Sequence, residues 1–274
     1  MPKLIEDARH RASAPSHDGE GASPRPTEPS RARCRARAKT LLTILAALVL
    51  APLTVVVGMG IPGNGYYLSG TLIVLYAIVP FFVAFEGRRP TAREIAVVAV
   101  LTALAVAARA ALVWGPHFKP MAAIIMIAGI AAGPQTGFLV GSVAALASNF
   151  IFGQGPWTTW QMLAFGVAGL VAGLLADARV FPRANLSWPR RVALAVTGFV
   201  LIAGLVGPIL DTSTFFYLST APTPELAATV YLAGLPVNAI HGAATALTLL
   251  VVANPLLDQL DRVRVKYGLL NRSR

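Results

Sequence analysis

The chain has 274 residues, of which 55% are hydrophobic and 13% charged, and its formal net charge is +11. A mean hydropathy of +0.65, with several apolar runs near the roughly 20 residues that cross a ~30 Å hydrocarbon core, excludes an ordinary soluble globule and predicts an all-α, polytopic membrane helix bundle. The period-two alternation of a barrel is absent. The positive charge sits in the termini and in alternate loops, a pattern that sets membrane orientation and argues against a nucleic-acid partner.

Residues 1–39 are polar, rich in Pro, Ser, Ala and Arg, and lack periodicity, which predicts a disordered tail. It ends in RARCRARAK, Arg31 to Lys39. That run reads as a cytoplasmic anchor against anionic lipid, with a macromolecular contact as the sharper alternative. Cys34 is the single cysteine, so neither an internal disulfide nor a Cys-based metal site is expected.

Eight apolar segments follow, at about 41–58, 68–85, 95–113, 121–133, 137–152, 160–176, 192–210 and 226–253. The loops 86–94 and 177–191 and the tail from Asp258 are basic, whereas 59–67 and 153–159 carry no charge and 211–225 carries only Asp211 and Glu225. With the N-terminus and C-terminus both inside, 21 of the 23 Lys and Arg fall in the cytoplasm, and the two exceptions are Arg109 and Lys119. The predicted location is the cell membrane, as a multi-pass protein. The apolar segments thus lie between a basic tail over 1–39 and a basic cytoplasmic tail over 257–274.

Segment 121–133 is short, about 20 Å if helical. It either crosses at a tilt or dips in and returns, with Gly133-Pro134 as the turn. Glycines recur at four-residue spacing at 129, 133, 137 and 141, and again at 169 and 173. In the third segment Ala99, Ala103, Ala107 and Ala111 share one face. Small residues at this spacing let another backbone approach closely, within the bundle or from a partner subunit.

The polar residues of the apolar segments gather on the outer half. Arg109 and Lys119 either neutralise an anionic group on a solute or snorkel to the interface. Ser148 and Asn149 need hydrogen-bond partners at their depth. The stretch from Phe152 to Met162 brings together Gln154, Trp157, Thr158, Thr159, Trp160 and Gln161. The Gln side chains offer donors and acceptors and the Trp rings offer faces for stacking, beyond what an aromatic belt requires. Asp211 lies at the outer end of the seventh segment. Asn238 and His241 share a face after Pro236, a predicted kink near mid-membrane. A lone His is poor support for a metal, so no metal and no cofactor are expected.

No P-loop, no H-E-x-x-H and no paired intramembrane carboxylates occur, which disfavours an enzyme. A self-sufficient secondary transporter of a small aromatic or vitamin-like solute remains the alternative to a binding subunit.

The run Phe118-Lys119-Pro120, followed by AGIAAGPQTGFLVGSVAALASNFIFGQGPWTTWQMLAFGVAGLVAGLL, resembles the substrate-binding S components of energy-coupling factor (ECF) transporters, the vitamin-importing branch of ABC transporters, and within them the cobalamin-linked group. The likeness is strong over about 93–175, and its most specific part is SNFIFGQGPWTTWQM; Thr159 stands where the family often has proline. The resemblance implies a six-helix core over 91–256 preceded by two additional helices over 40–90, and capture of a vitamin such as cobalamin from outside by helix ends and outer loops; the residues read as solute contacts are Arg109, Lys119, Asn149, Gln154, Trp157, Trp160, Gln161, Asp211, Asn238 and His241. It also implies docking through the Ala99, Ala103, Ala107, Ala111 face onto a transmembrane coupling (T) subunit, with two ATPase subunits beneath.

Overall fold

The computed structural model describes residues 65–86, 91–112, 118–155, 157–183, 185–218 and 223–267, and singly 50, 53, 54 and 57. The expected tail over 1–39 and most of the first apolar segment therefore lie outside the described residues. What is described is helical: α1 (Gly65–Glu86), α2 (Ala92–Ala111), α3 (Met121–Ala132), α4 (Pro134–Phe152), α5 (Trp157–Asp177), α6 (Trp188–Leu201), a π-turn (Ile202–Val206), α7 (Gly207–Leu218) and α8 (Pro224–Tyr267). Among the described residues, five stretches are long and apolar enough to cross a membrane, namely α2, α4, α5, the continuous Trp188–Leu218 and most of α8; α1 and α3 carry shorter apolar runs. The protein is a polytopic helical membrane bundle.

Helix α2 opens with a capping box. Thr91 Oγ1 accepts from the Glu94 amide at 3.3 Å, and Glu94 Oε2 accepts from the Thr91 amide at 2.9 Å, which satisfies two donors that a helix start leaves orphaned. Its inward face is Leu101, Thr102, Ala105 and Arg109. Ala99, Ala103, Ala107 and Ala111 are all exposed, so this alanine face is not used for packing among the described residues.

Helix α3 is apolar on every side, and ten of its twelve residues are buried. That is the pattern of a helix enclosed by others. It ends at Gly133, which has a φ of +97° that side-chain-bearing residues rarely adopt. Pro134 then starts α4, where its missing N–H costs nothing. Arg183 Nε donates to the Ile130 carbonyl at 3.2 Å and also pairs with Asp177. The Gly133 turn thus lies at the end of the bundle that the charge distribution assigns to the cytoplasm.

The four-spaced glycines form the seam between α3, α4 and α5. A Cβ on Gly129 or Gly137 would collide with the Gly169 carbonyl, and one on Gly141 would meet the Phe165 backbone. In lipid, which is as apolar as a leucine side chain, such close backbone approach is what holds helices together.

Two stretches differ from the expectation. The seventh segment does not stop at 210; it continues as α7 to Leu218. The Thr212 hydroxyl donates to the Pro208 carbonyl at 2.7 Å and Thr214 to that of Leu210 at 3.3 Å. These back-bonds hide the hydroxyls and let a Thr/Ser-rich sequence stay helical. The π-turn lies just before Pro208, whose ring has no N–H to donate to the Gly204 carbonyl and would crowd it in a regular α-turn. Helix α8 runs through Pro236 and Pro255 without a break and past the expected start of the tail. At about 1.5 Å per residue it is far longer than the hydrocarbon core is thick.

Two polar layers bracket the apolar middle. At the end that the charge distribution assigns to the cytoplasm, Asn254 clamps the α5–α6 connection, accepting from the Leu186 amide at 3.0 Å and donating to the Leu186 carbonyl at 2.9 Å. Arg191 covers the ring of Trp188 at 5.0 Å, an interfacial arrangement. The opposite layer holds the candidate site.

Candidate functional site

Arg109 lies in the last turn of α2 and is only 8% exposed. Its Nη1 donates to Ser148 Oγ and, at 3.0 Å, to Asn149 Oδ1. Asn149, 1% exposed, uses its amide nitrogen twice, donating to Thr158 Oγ1 at 3.0 Å and to Gln161 Oε1 at 2.7 Å. Thr158 in turn donates to Gln154 Oε1 at 3.0 Å. One buried side chain from α4 thus joins α2 to α5, with each of its polar atoms satisfied, as burial at this depth demands.

A second pair stands across the bundle. Asn238 of α8 donates to Asp211 Oδ2 of α7 at 2.7 Å. Two glycines make room for it: a Cβ at Gly207 would fall on the Asn238 amide, and one at Gly234 on the Asp211 carboxylate.

Between the two groups lies a cavity with about 590 Å³ of empty space, its open mouth included. Its lining comes from Arg109 of α2, from Lys119 with Met121 and Ala122 at the start of α3, from Gln161 and Phe165 of α5, from Ile202 and Val206 of the π-turn with Gly207 and Leu210 of α7, and from Asn238, His241 and Thr245 of α8. The π-turn contributes Ile202 and Val206, turning both inward. Lys119 Nζ lies 5.5 Å and Arg109 Cζ 4.5 Å from the centroid of the Phe152 ring. Burial first, and then the Arg109 charge, pull the Lys119 ammonium below the usual lysine range.

Of the ten residues expected to meet a solute, Arg109, Lys119, Gln161, Asn238 and His241 line this cavity. Asn149 and Asp211 stand one hydrogen bond behind it. Gln154, Trp157 and Trp160 are not among the lining residues. Gln154 is exposed and donates to the Leu146 carbonyl at 3.1 Å. Trp157 is the first residue of α5 and 41% exposed. Trp160, 7% exposed, packs with Val74, Ile78 and Phe138, and its ring centroid is 6.0 Å from that of Phe216. Trp160→Ala should therefore lower thermal stability by about 3 kcal/mol or more. Trp157→Ala should stay within about 1 kcal/mol of wild type. Unfolding curves in detergent check both. Sequence reasoning expected a wall at the outer end of the seventh segment but named no residue of it, and it did not single out the π-turn or the ring of Phe152. The Gly207-Pro208 pair inside an apolar run was the available signal for the former.

A family model described as the S component of the ECF-type riboflavin transporter matches residues 90–262. The chain is also similar to several UPF0397 proteins. One, of Vibrio atlanticus, is 29% identical over 104 residues, covering 37% of this chain and 53% of the relative. Another, of Clostridium perfringens, is 25% identical over 155 residues, covering 55% and 76%. A third, of Lactococcus lactis subsp. cremoris, is 28% identical over 144 residues, covering 51% and 71%. The chain thus spans about half the length of the first of these relatives. No solved structure matches it. The likeness to S components extends across α2 to α8 and does not single out the cobalamin-linked group. The chain belongs to the family of ECF-type transporter S components, multi-pass proteins of the cell membrane that bind substrates and are not themselves enzymes.

Proposed function

We propose that this protein captures a vitamin-like ring compound from the outer side of the membrane, in the cavity between α2, α5, α7 and α8, for ATP-driven import by partner subunits. The observation that carries the reading is the convergence of Arg109, Lys119, Gln161, Asn238 and His241 on one partly apolar cavity, at the end that the charge distribution places outside. Riboflavin or a close flavin relative is the first candidate, because the matching family carries that name. The lining pairs apolar Phe165, Ile202, Val206 and Leu210 with those polar groups, which suits a ring system with hydrogen-bonding edges; the corrin of cobalamin is the competing ring. The test is titration of the purified full chain with riboflavin, read by quenching of flavin fluorescence, beside a cobalamin titration read by absorbance. Saturable riboflavin binding is expected; tight cobalamin binding without riboflavin binding would restore the corrin reading, and binding of neither would remove both.

The partners in this reading are a transmembrane coupling subunit and two ATPases. The exposed face of Ala99, Ala103, Ala107 and Ala111, flanked by Val100 at 66% and Leu104 at 39% exposure, is where the coupling subunit would dock. Ala103→Leu should cut recovery of the assembled complex by about ten-fold, the effect of overfilling a close helix contact. Solute binding by the isolated chain should persist. Pull-down with the co-expressed coupling subunit measures the first and the flavin titration the second.

A further inference from the structure

Arg109 and Lys119 meet over the ring of Phe152 and both line the cavity. Neither forms a salt bridge among the described residues, where the ion pair is Arg183 with Asp177 at the cytoplasmic end. The sequence offers little to neutralise them. Of its twelve acids, Glu6, Asp7, Asp18, Glu20 and Glu28 lie in the tail, and Glu86, Glu94, Asp177, Asp258 and Asp261 flank cytoplasmic stretches. That leaves Asp211, which the Asn238 amide engages, and Glu225, exposed on the first turn of α8.

Both described hydrogen bonds of Arg109 leave from Nη1 and end on neutral oxygens. Charge removed from water without a counter-ion is costly, and a second cation on the same ring adds to the cost. A guanidinium fork held in place by Ser148 and Asn149, with an ammonium over the same ring and apolar residues in the same cavity lining, matches what a ring compound bearing a carboxylate or phosphate group needs.

We propose that Arg109 and Lys119 form an anion subsite of the cavity, which takes the carboxylate or phosphate group of a ring compound whose ring lies against Phe165, Ile202, Val206 and Leu210. The inference rests on the reading of the cavity as the solute site and narrows the solute class: an acidic ring compound is preferred over its neutral parent. A lipid headgroup phosphate offers the same chemistry from a second source.

The test uses the full chain in phosphatidylcholine nanodiscs, titrated separately with riboflavin, with riboflavin 5′-phosphate and with inorganic phosphate at constant ionic strength. Thermal unfolding midpoints are read for all three, and fluorescence quenching for the flavins. The phosphate ester should bind at least about ten-fold more tightly than riboflavin, and inorganic phosphate should compete with it. Both effects should vanish in Lys119→Gln, a side chain without a described hydrogen bond. Arg109→Lys, which keeps the charge, serves beside Arg109→Gln in case the latter does not fold. If riboflavin binds as tightly as its phosphate, the cavity reading stands and the anion subsite is overturned. If neither flavin binds but inorganic phosphate still raises the midpoint of wild type and not of Lys119→Gln, the subsite stands and the flavin reading falls. A wild type that responds to none of the three overturns the subsite. Repeating the phosphate titration with phosphatidylglycerol in the nanodisc separates the sources: loss of the response assigns the subsite to lipid headgroups and overturns the solute claim.

Discussion

Gly137→Leu should leave little folded protein. The α-carbon of Gly137 sits where a Cβ would collide with the Gly169 carbonyl and with the α-carbon of Gly129. Those atoms are backbone on two other helices, so no rotamer change relieves the contact, and α4 must move away from both α3 and α5. Overfilling a well-packed core typically costs about 1–3 kcal/mol where side chains can shift. Here nothing but helices can shift, and the expected cost exceeds about 3 kcal/mol. Gly204→Ala is the matched control. It lies in the π-turn with nothing within 4 Å of the added carbon, so it should stay within about 1 kcal/mol of wild type and on the stabilising side if it shifts at all. The yield of monodisperse protein and the unfolding midpoint in one detergent compare the two. A Gly137→Leu protein as stable as Gly204→Ala would show that the seam is looser than its backbone contacts indicate.

The same seam shows what sequence periodicity conveys and what it does not. Four-residue spacing of glycine marks a face where another helix comes close, because residues four apart lie on the same side of a helix. It does not say which helix comes close, and the partner proved to be α5, through Gly169 and Gly173. Charge alternation conveyed an orientation that the helix ends agree with, since Arg93 and Arg191 lie in the first turns of α2 and α6 and Arg183 in the α5–α6 connection, all at the end that the positive-inside pattern assigns to the cytoplasm. The alanine face of α2 was legible as a close-approach surface, but whether the bundle itself covers it was not; the spacing is identical in either case. The Trp/Gln stretch was legible as unusual but not as to direction. Trp157 and Trp160 are three apart, and small differences in helix start decide which of them faces the cavity, the lipid or a neighbouring helix. With α5 beginning at Trp157 rather than near residue 160, Trp160 falls against Phe138 and α1 while Gln161 turns to the cavity. The end of α7 was hidden for another reason. A run such as Asp-Thr-Ser-Thr reads as a loop on polarity, yet back-bonded hydroxyls and one Asn–Asp contact satisfy it inside a helix.

Asn149→Ala should abolish the site and much of the stability with it. The change removes one acceptor for a buried guanidinium and two donated bonds to α5, leaving the Gln161 oxygen without its donor and Arg109 with Ser148 alone. Polar contacts within membranes average below about 1 kcal/mol each, but hydrogen bonds to a charge are worth about 1.5–3 kcal/mol. The expected loss is therefore about 2–4 kcal/mol, with solute binding below detection. Asn149→Asp separates the two consequences. A carboxylate keeps the shape and strengthens the bond to Arg109, while Thr158 can turn its hydroxyl to donate and Gln161 can rotate its amide to present nitrogen. Stability should recover to within about 1 kcal/mol of wild type in the unfolding assay. The new carboxylate also cancels the Arg109 charge and leaves Lys119 as the one cation that the lining presents to an anion. In this variant riboflavin 5′-phosphate should lose its advantage over riboflavin even though the fold is intact. If the phosphate ester kept its preference with an aspartate hydrogen-bonded to Arg109, the guanidinium would be a structural tie between α2 and α4, and Lys119 alone would have to account for any selection of acidic solutes.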